Sequence, residues 1–153
     1  QYARNETASA KELVSEVLEE VEERIHHRNI IVSQKWSRDY EIPNCNRSLM
    51  HTMIFNLVSN AIKYNKDGGK IIITGKAVGN GFVLSIEDTG VGISKVNLPF
   101  IFDRFKRFRP EDEMSYGLGL PIIKSIAEFH EIKIAVDSET GKGTVFSVHF
   151  PVA

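Results

Sequence analysis

Apolar residues recur along this chain at two periods, and the switches between them mark out the elements. Ser9-Ala10-Lys11-Glu12 has the S-x-x-E spacing of a capping box, in which hydroxyl and carboxylate satisfy the first free N–H groups of a helix. Behind it Leu13, Val14, Val17, Leu18, Val21 and Ile25 recur at helical period with glutamates opposite, which predicts an amphipathic helix reaching Ile25. Residues 1–8 are polar and expected to be loose. Residues 29–36 (NIIVSQKW) are rich in β-branched side chains and predict a strand, with Ile42-Pro43-Asn44 closing the segment. A second helix is predicted over residues 47–64, burying Leu49, Met50, Met53, Ile54, Leu57, Val58, Ala61 and Ile62. It stops at the turn signal Asn65-Lys66-Asp67-Gly68-Gly69.

The period then shortens. Residues 70–77 and 82–88 predict two strands joined as a hairpin through Gly79-Asn80-Gly81. Residues 89–116 follow no regular pattern, and so long a connection in a compact domain is usually functional. Residues 117–130 predict a further helix, and residues 133–138 and 144–150 a closing hairpin. This order predicts an α+β, two-layer α/β sandwich: a mixed, mostly antiparallel sheet of about five strands with about three helices packed on one face.

Composition narrows the function. The 153 residues, 42% hydrophobic and 25% charged, suit one soluble domain over residues 9–153, with residues 1–8 as a linker remnant. The 19 basic and 20 acidic side chains leave no basic footprint, so no nucleic-acid partner is expected. The single cysteine, Cys45, excludes an intramolecular disulfide and a cysteine zinc cluster, and fits a reducing cytoplasm. No apolar run approaches the roughly 20 residues of a membrane span, so the domain itself is not expected to insert, whereas a membrane-anchored parent protein is compatible. A start at Gln1 rather than methionine leads us to expect a fragment.

Several residues sit where an ordinary fold would not place them. Strand alternation puts Asp88 on the same face as Phe82, Leu84 and Ile86, so its carboxylate points toward the core. Such a group is costly unless donors meet it. An acceptor in an apolar slot suits the exocyclic amine of adenine and rejects the carbonyl of guanine. Thr89-Gly90-Val91-Gly92 follows, its two glycines allowing backbone to come close to a ligand. The alternative is an aspartate capping its own turn.

Asn56 and Asn60 stand four apart in mid-helix, where asparagine is a mediocre former, with Lys63 and Tyr64 beyond them. An amide oxygen is a hard, neutral ligand for Mg²⁺ carried by ATP; a solvated polar face is the other reading. Gly117-Leu118-Gly119-Leu120 opens a helix, where free N–H groups favour phosphate. The run from Phe102 to Arg109 reads in isolation as a solvated stretch with phenylalanine anchors.

In this order, NLVSNAIKYN (56–65), DTGVGI (88–93), IFDRFKR (101–107), YGLGL (116–120) and GKGTVFSVHFP (141–151) resemble the N, G1, F and G2 boxes and terminal hairpin of sensor histidine kinases. These are members of the GHKL group of ATP-binding domains, the Bergerat fold, and the resemblance covers about residues 9–151. It implies ATP and Mg²⁺ as cofactors, with Asn60 on the metal, Asn56 and Lys63 at the phosphates and Tyr64 against the nucleotide. It also implies Asp88 at the adenine amine within a pocket shaped by Gly90, Gly92, Ile93 and Thr144. Arg107 would approach the γ-phosphate, Phe102 and Phe105 would anchor the F box, and Gly117, Leu118, Gly119 and Leu120 would line the phosphate side below a lid of about residues 108–116. Asn56, Lys63 and Arg107 are the residues it points to for catalysis.

The chain departs from the family pattern at Ser115, Lys106 and Glu131-Ile132, where glycine, an aromatic and Gly-Gly are common. No histidine box is present; His26 and His27 end an amphipathic helix. The resemblance therefore implies transfer of the ATP γ-phosphoryl group to a histidine on an upstream dimerisation domain, with a response regulator receiver next in the pathway. Gyrase-like ATPases place a glutamate base where this chain has Asn56, and an amide cannot accept a proton at neutral pH. A neutral imidazole acceptor needs no such base. A degenerate module that signals by binding is the alternative, and a GHKL ATPase a further one.

Overall fold

The computed structural model describes residues 2–102 and 119–151. In chain order the elements are β1 (Glu6–Ser9), α1 (Ala10–Glu20), α2 (Glu22–His27), β2 (Ile31–Trp36), β3 (Glu41–Cys45) and α3 (Arg47–Lys63). Then follow β4 (Lys70–Val78), β5 (Gly81–Asp88), a 3₁₀ turn (Leu98–Phe100), α4 (Gly119–Phe129), β6 (Lys133–Glu139) and β7 (Gly143–Phe150). Five strands form one sheet in the order β2-β4-β5-β7-β6. β2 and β4 run parallel, as the crossover through α3 requires, and every other neighbouring pair is antiparallel. This is the expected mixed two-layer architecture.

The core lies where the periodicities meet. Leu13, Val14 and Val17 of α1, the Met50–Ile62 stripe of α3, and Leu120, Ile123 and Ile126 of α4 cover Ile71, Ile73, Leu84, Ile86, Phe146 and Val148 of the sheet. Ser9 caps α1 as its spacing predicts, its Oγ accepting from Glu12 N–H at 3.0 Å. Asn46 does the same for α3, accepting from Leu49 N–H at 3.0 Å. No described helix is long and apolar enough to cross a membrane.

Three details differ from expectation. The first helix breaks at Val21 (φ −108°, ψ 10°) into α1 and α2. Glu6–Ser9 is not loose but pairs antiparallel with β3 in a separate ribbon, and Arg4 bonds to the Asn44 and Phe129 carbonyls at 3.1 and 3.2 Å. Ile42-Pro43-Asn44 lies inside β3 rather than ending a segment, because a two-stranded ribbon leaves one edge where proline's missing N–H is not needed.

The end of α4 explains the family departure at Glu131. Ile132 N–H bonds to Ala127 O (3.0 Å) and Glu131 N–H to Glu128 O (3.1 Å), the double closure that requires a left-handed residue, here Glu131 at φ 57°. Glycine takes this conformation freely, and the exposed Arg4–Glu131 ion pair (3.0 Å) contributes little. Glu131→Gly is therefore expected to stabilise the domain by about 1 kcal/mol, read as a higher denaturation midpoint at unchanged m-value. A lowered midpoint would show that the ion pair outweighs the strain.

Candidate functional site

The site lies where the C-terminal end of α3 meets the C-terminal end of β5. Tyr64, the last cap of α3, is buried, and its carbonyl accepts Val91 N–H at 3.1 Å. A Cβ on Gly90 would stand 2.1 Å from that same carbonyl oxygen, so only glycine lets the loop come this close. The closeness expected of this glycine is thus spent on α3. Asn65, also buried, completes the latch: its Nδ2 donates to Lys70 O (3.0 Å) and its Oδ1 accepts from Thr89 Oγ1 (3.1 Å). Thr89 Oγ1 in turn accepts Lys70 N–H at 2.9 Å. α3 has no glycine at its end; instead the Arg28 guanidinium, reaching across from the end of α2, donates to the carbonyls of Ile62 (3.0 Å) and Asn65 and pairs with Asp67 at 2.6 Å.

Asp88 points inward as alternation predicts and is only 8% exposed. Burial pushes its carboxyl up to about 6, against the N–H groups of Gly90 (2.8 Å to Oδ1) and Thr144, which favour the charged form; nearby Glu87 raises it slightly. The bond to Gly90 is the self-capping turn considered as the alternative, and it leaves most of the carboxylate's acceptor positions unused. Two backbone donors do not exhaust a carboxylate, which has about four acceptor positions. The group retains capacity for a ligand N–H.

On α3, Asn60 is half-buried, and its Nδ2 is buried with no hydrogen-bond partner among the described residues. An unsatisfied buried amide costs about 1–3 kcal/mol, so the fold gains nothing by placing it there. The donor set suits Mg-ATP: Nδ2 can donate to a phosphate oxygen and Oδ1 can serve a hard cation. Asn56, one turn earlier, donates from Nδ2 to Thr52 O at 2.8 Å within its own helix, which leaves its oxygen as the acceptor. Lys63 is exposed with its ammonium 5.2 Å from the Tyr64 ring centroid. No group of three or more His, Cys, Asp or Glu side chains that could hold a metal occurs among the described residues.

The far side of the loop is clamped to the β6–β7 hairpin. Gly92 takes φ 75°, and a Cβ there would meet Glu139 O at 2.2 Å. Buried Ile93 donates its N–H to Ser138 Oγ at 2.7 Å, and Thr144, also buried, faces Asp88 across the β5/β7 ladder. Phe102 packs edge-on to Phe146 at 6.4 Å, and Leu120 is fully buried in the first turn of α4, which packs against α3. The structure therefore places Asn60, Lys63 and Tyr64 at the end of α3, Asp88 and Gly90 at and after the end of β5, and Gly92, Ile93 and Thr144 at the β6–β7 hairpin beside them. Phe105, Arg107, Gly117, Leu118 and the lid lie outside the described residues. Sequence reasoning missed Arg28 and Ser138 and did not assign Asn65 or Thr89 a role; Asn65 and Thr89 stand in the quoted NLVSNAIKYN and DTGVGI motifs, and the other two carry no pattern of their own.

The family of histidine kinase-, DNA gyrase B- and HSP90-like ATPases matches residues 45–153. The sensor histidine kinase RppB of Synechocystis is 32% identical over 144 residues, which cover 92% of this chain and 32% of that protein. The solved catalytic domain of histidine kinase ThkA superposes with a TM-score of 0.82 at 28% identity, over 95% of this chain and 94% of that one. ThkA in complex with the response regulator TrrA gives 0.80 at 27% identity, over 97% of this chain and 42% of that one. The chain belongs to this ATPase family and is an ATP-binding catalytic domain of the histidine-kinase type. It spans about a third of the length of RppB.

Proposed function

We propose that this chain binds Mg-ATP with adenine against Asp88 and the phosphates toward Asn60 and Lys63, and serves a sensor kinase that phosphorylates a histidine on an upstream dimerisation domain. The observation that carries the reading is Asp88: a buried acceptor that takes the Gly90 N–H at 2.8 Å and has capacity left over. Its work is selection. An adenine amine donates to it, while guanine would set a carbonyl against a carboxylate. Asn60 and Lys63 hold the triphosphate end, and Mg²⁺, when bound, neutralises its charge.

Nothing at position 56 can take a proton from water, because a neutral amide is not basic at neutral pH. That disfavours hydrolysis and favours an acceptor already nucleophilic at neutral pH. Catalysis is then positioning and charge neutralisation, with Arg107 at the γ-phosphate. ThkA's complex with a response regulator supports a receiver domain as the next partner. Titration calorimetry tests the nucleotide assignment. ADP is expected to bind and GDP to show no measurable heat; equal binding of the two would overturn the role of Asp88.

A further inference from the structure

Among the described residues, Ser138 ties together the segments around Asp88 through its side chain without belonging to any box of the family resemblance. It sits on β6 directly opposite Thr144 on β7. Its Oγ lies 2.7 Å from Ile93 N, 2.9 Å from Gly143 O and 2.8 Å from Thr144 Oγ1. A hydroxyl offers one donor and two acceptor positions. These contacts fill all three: Ile93 N–H and the Thr144 hydroxyl donate to Ser138, and Ser138 donates to the Gly143 carbonyl. The Thr144 hydroxyl proton is thereby directed at Ser138.

Each partner reaches Asp88. Thr144 pairs with Asp88 across the β5/β7 ladder, and its backbone favours the charged form of the Asp88 carboxyl. A Cβ on Gly143 would stand 2.0 Å from Asp88 O, so the backbones of β5 and the hairpin turn are in direct contact there. Ile93 ends the loop that starts at Asp88, and Val91 anchors the loop further, its N–H on Tyr64 O and its O accepting Gly141 N–H at 2.8 Å. Without Ser138 the buried end of that loop loses its acceptor and Thr144 its fixed rotamer. α3, with Asn60 and Lys63, meets this loop at Tyr64 and Asn65 and is held besides by Arg28 on the Ile62 carbonyl and by Asn65 on Lys70 O.

We propose that Ser138 is a positioning residue for base recognition: it fixes the 90–93 loop and Thr144 around Asp88, and so sets the affinity for the adenosine half of the ligand and not for its phosphates. The proposal rests on the assignment of adenine to Asp88. The test is calorimetry of the chain with metal-free adenosine and with Mg-ATP. Ser138→Ala is expected to weaken both by the same factor, about tenfold, as one buried hydrogen-bond acceptor is lost. Ser138→Thr, which keeps the hydroxyl, should restore both to within about threefold of wild type. Ser147→Ala, removing a strand hydroxyl bonded only to Ser85 at 3.2 Å, should change neither.

A merely structural serine would lower the melting temperature and leave both affinities alone. Unchanged adenosine affinity in Ser138→Ala, beside a weakened Asp88→Asn, overturns the role of Ser138 alone. Unchanged adenosine affinity in Asp88→Asn overturns the adenine assignment and this proposal with it. Should Ser138→Ala melt below the assay temperature, Ser138→Cys makes the same comparison, since a thiol fills similar space as a weak partner.

Discussion

Asp88→Asn is expected to make the domain more stable and a poorer binder of nucleotide in one step. Burial raises the Asp88 carboxyl from 3.8 to about 6. Each pKa unit corresponds to about 1.4 kcal/mol, so the charged group costs the folded state roughly 3 kcal/mol at pH 8. Asparagine keeps an oxygen for the Gly90 and Thr144 N–H groups but carries no charge to desolvate. The sign of the pH dependence follows. Because the folded pKa is the higher one, the contribution of Asp88 to stability is complete below 3.8 and is lost as pH rises through about 6. The variant's advantage should thus be near zero at pH 3.5 and fully open by pH 7.5, seen as diverging melting temperatures. ADP affinity should fall by about 1–3 kcal/mol, the price of a mismatched buried partner. A variant less stable than wild type at pH 8 would contradict the picture of a buried, uncompensated charge.

Asn60→Ala should separate the two halves of the ligand. Its Nδ2 is buried without a partner among the described residues, and alanine is the better helix former by about 0.5 kcal/mol, so the ligand-free domain should lose no stability. Metal-free adenosine should bind as to wild type. The increment that Mg²⁺ adds to ATP affinity should vanish. Calorimetry with adenosine, ATP and Mg-ATP decides it: equal losses for adenosine and Mg-ATP would make Asn60 a structural residue of α3. Both substitutions place function and stability in opposition, as expected where a site holds polar groups the fold does not satisfy.

How much of this was legible in the sequence depended on whether a residue's partner was local. The face of Asp88 followed from two-residue alternation along β5, and Asn60 from its poor fit to mid-helix, because both arguments need only the element itself. The capping of α1 by Ser9 is equally local. Arg28 could not be read, since it bonds to carbonyls 34 to 37 positions away and looks in sequence like any surface arginine. Ser138 lies 45 positions from Ile93 for the same reason. The β1–β3 ribbon escaped because its strands are short, mostly polar and 32 or more positions apart in register, so no hydrophobic period marks them. The glycines were read as letting backbone approach a ligand; that the surfaces they approach are the carbonyls of Tyr64 and Glu139 is tertiary information the sequence does not carry.

The central claim is that this chain, once it holds ATP, phosphorylates histidine rather than water. The direct measurement is to incubate it with ATP labelled at the γ-phosphorus, with and without the histidine-bearing helical hairpin of its parent protein. Alone, the chain should release phosphate slowly and carry no stable label. With the hairpin, label should move to the hairpin in an acid-labile, alkali-stable linkage, the signature of phosphohistidine. Brisk release of phosphate by the chain alone, or no transfer to the hairpin while ATP is bound, would contradict the account.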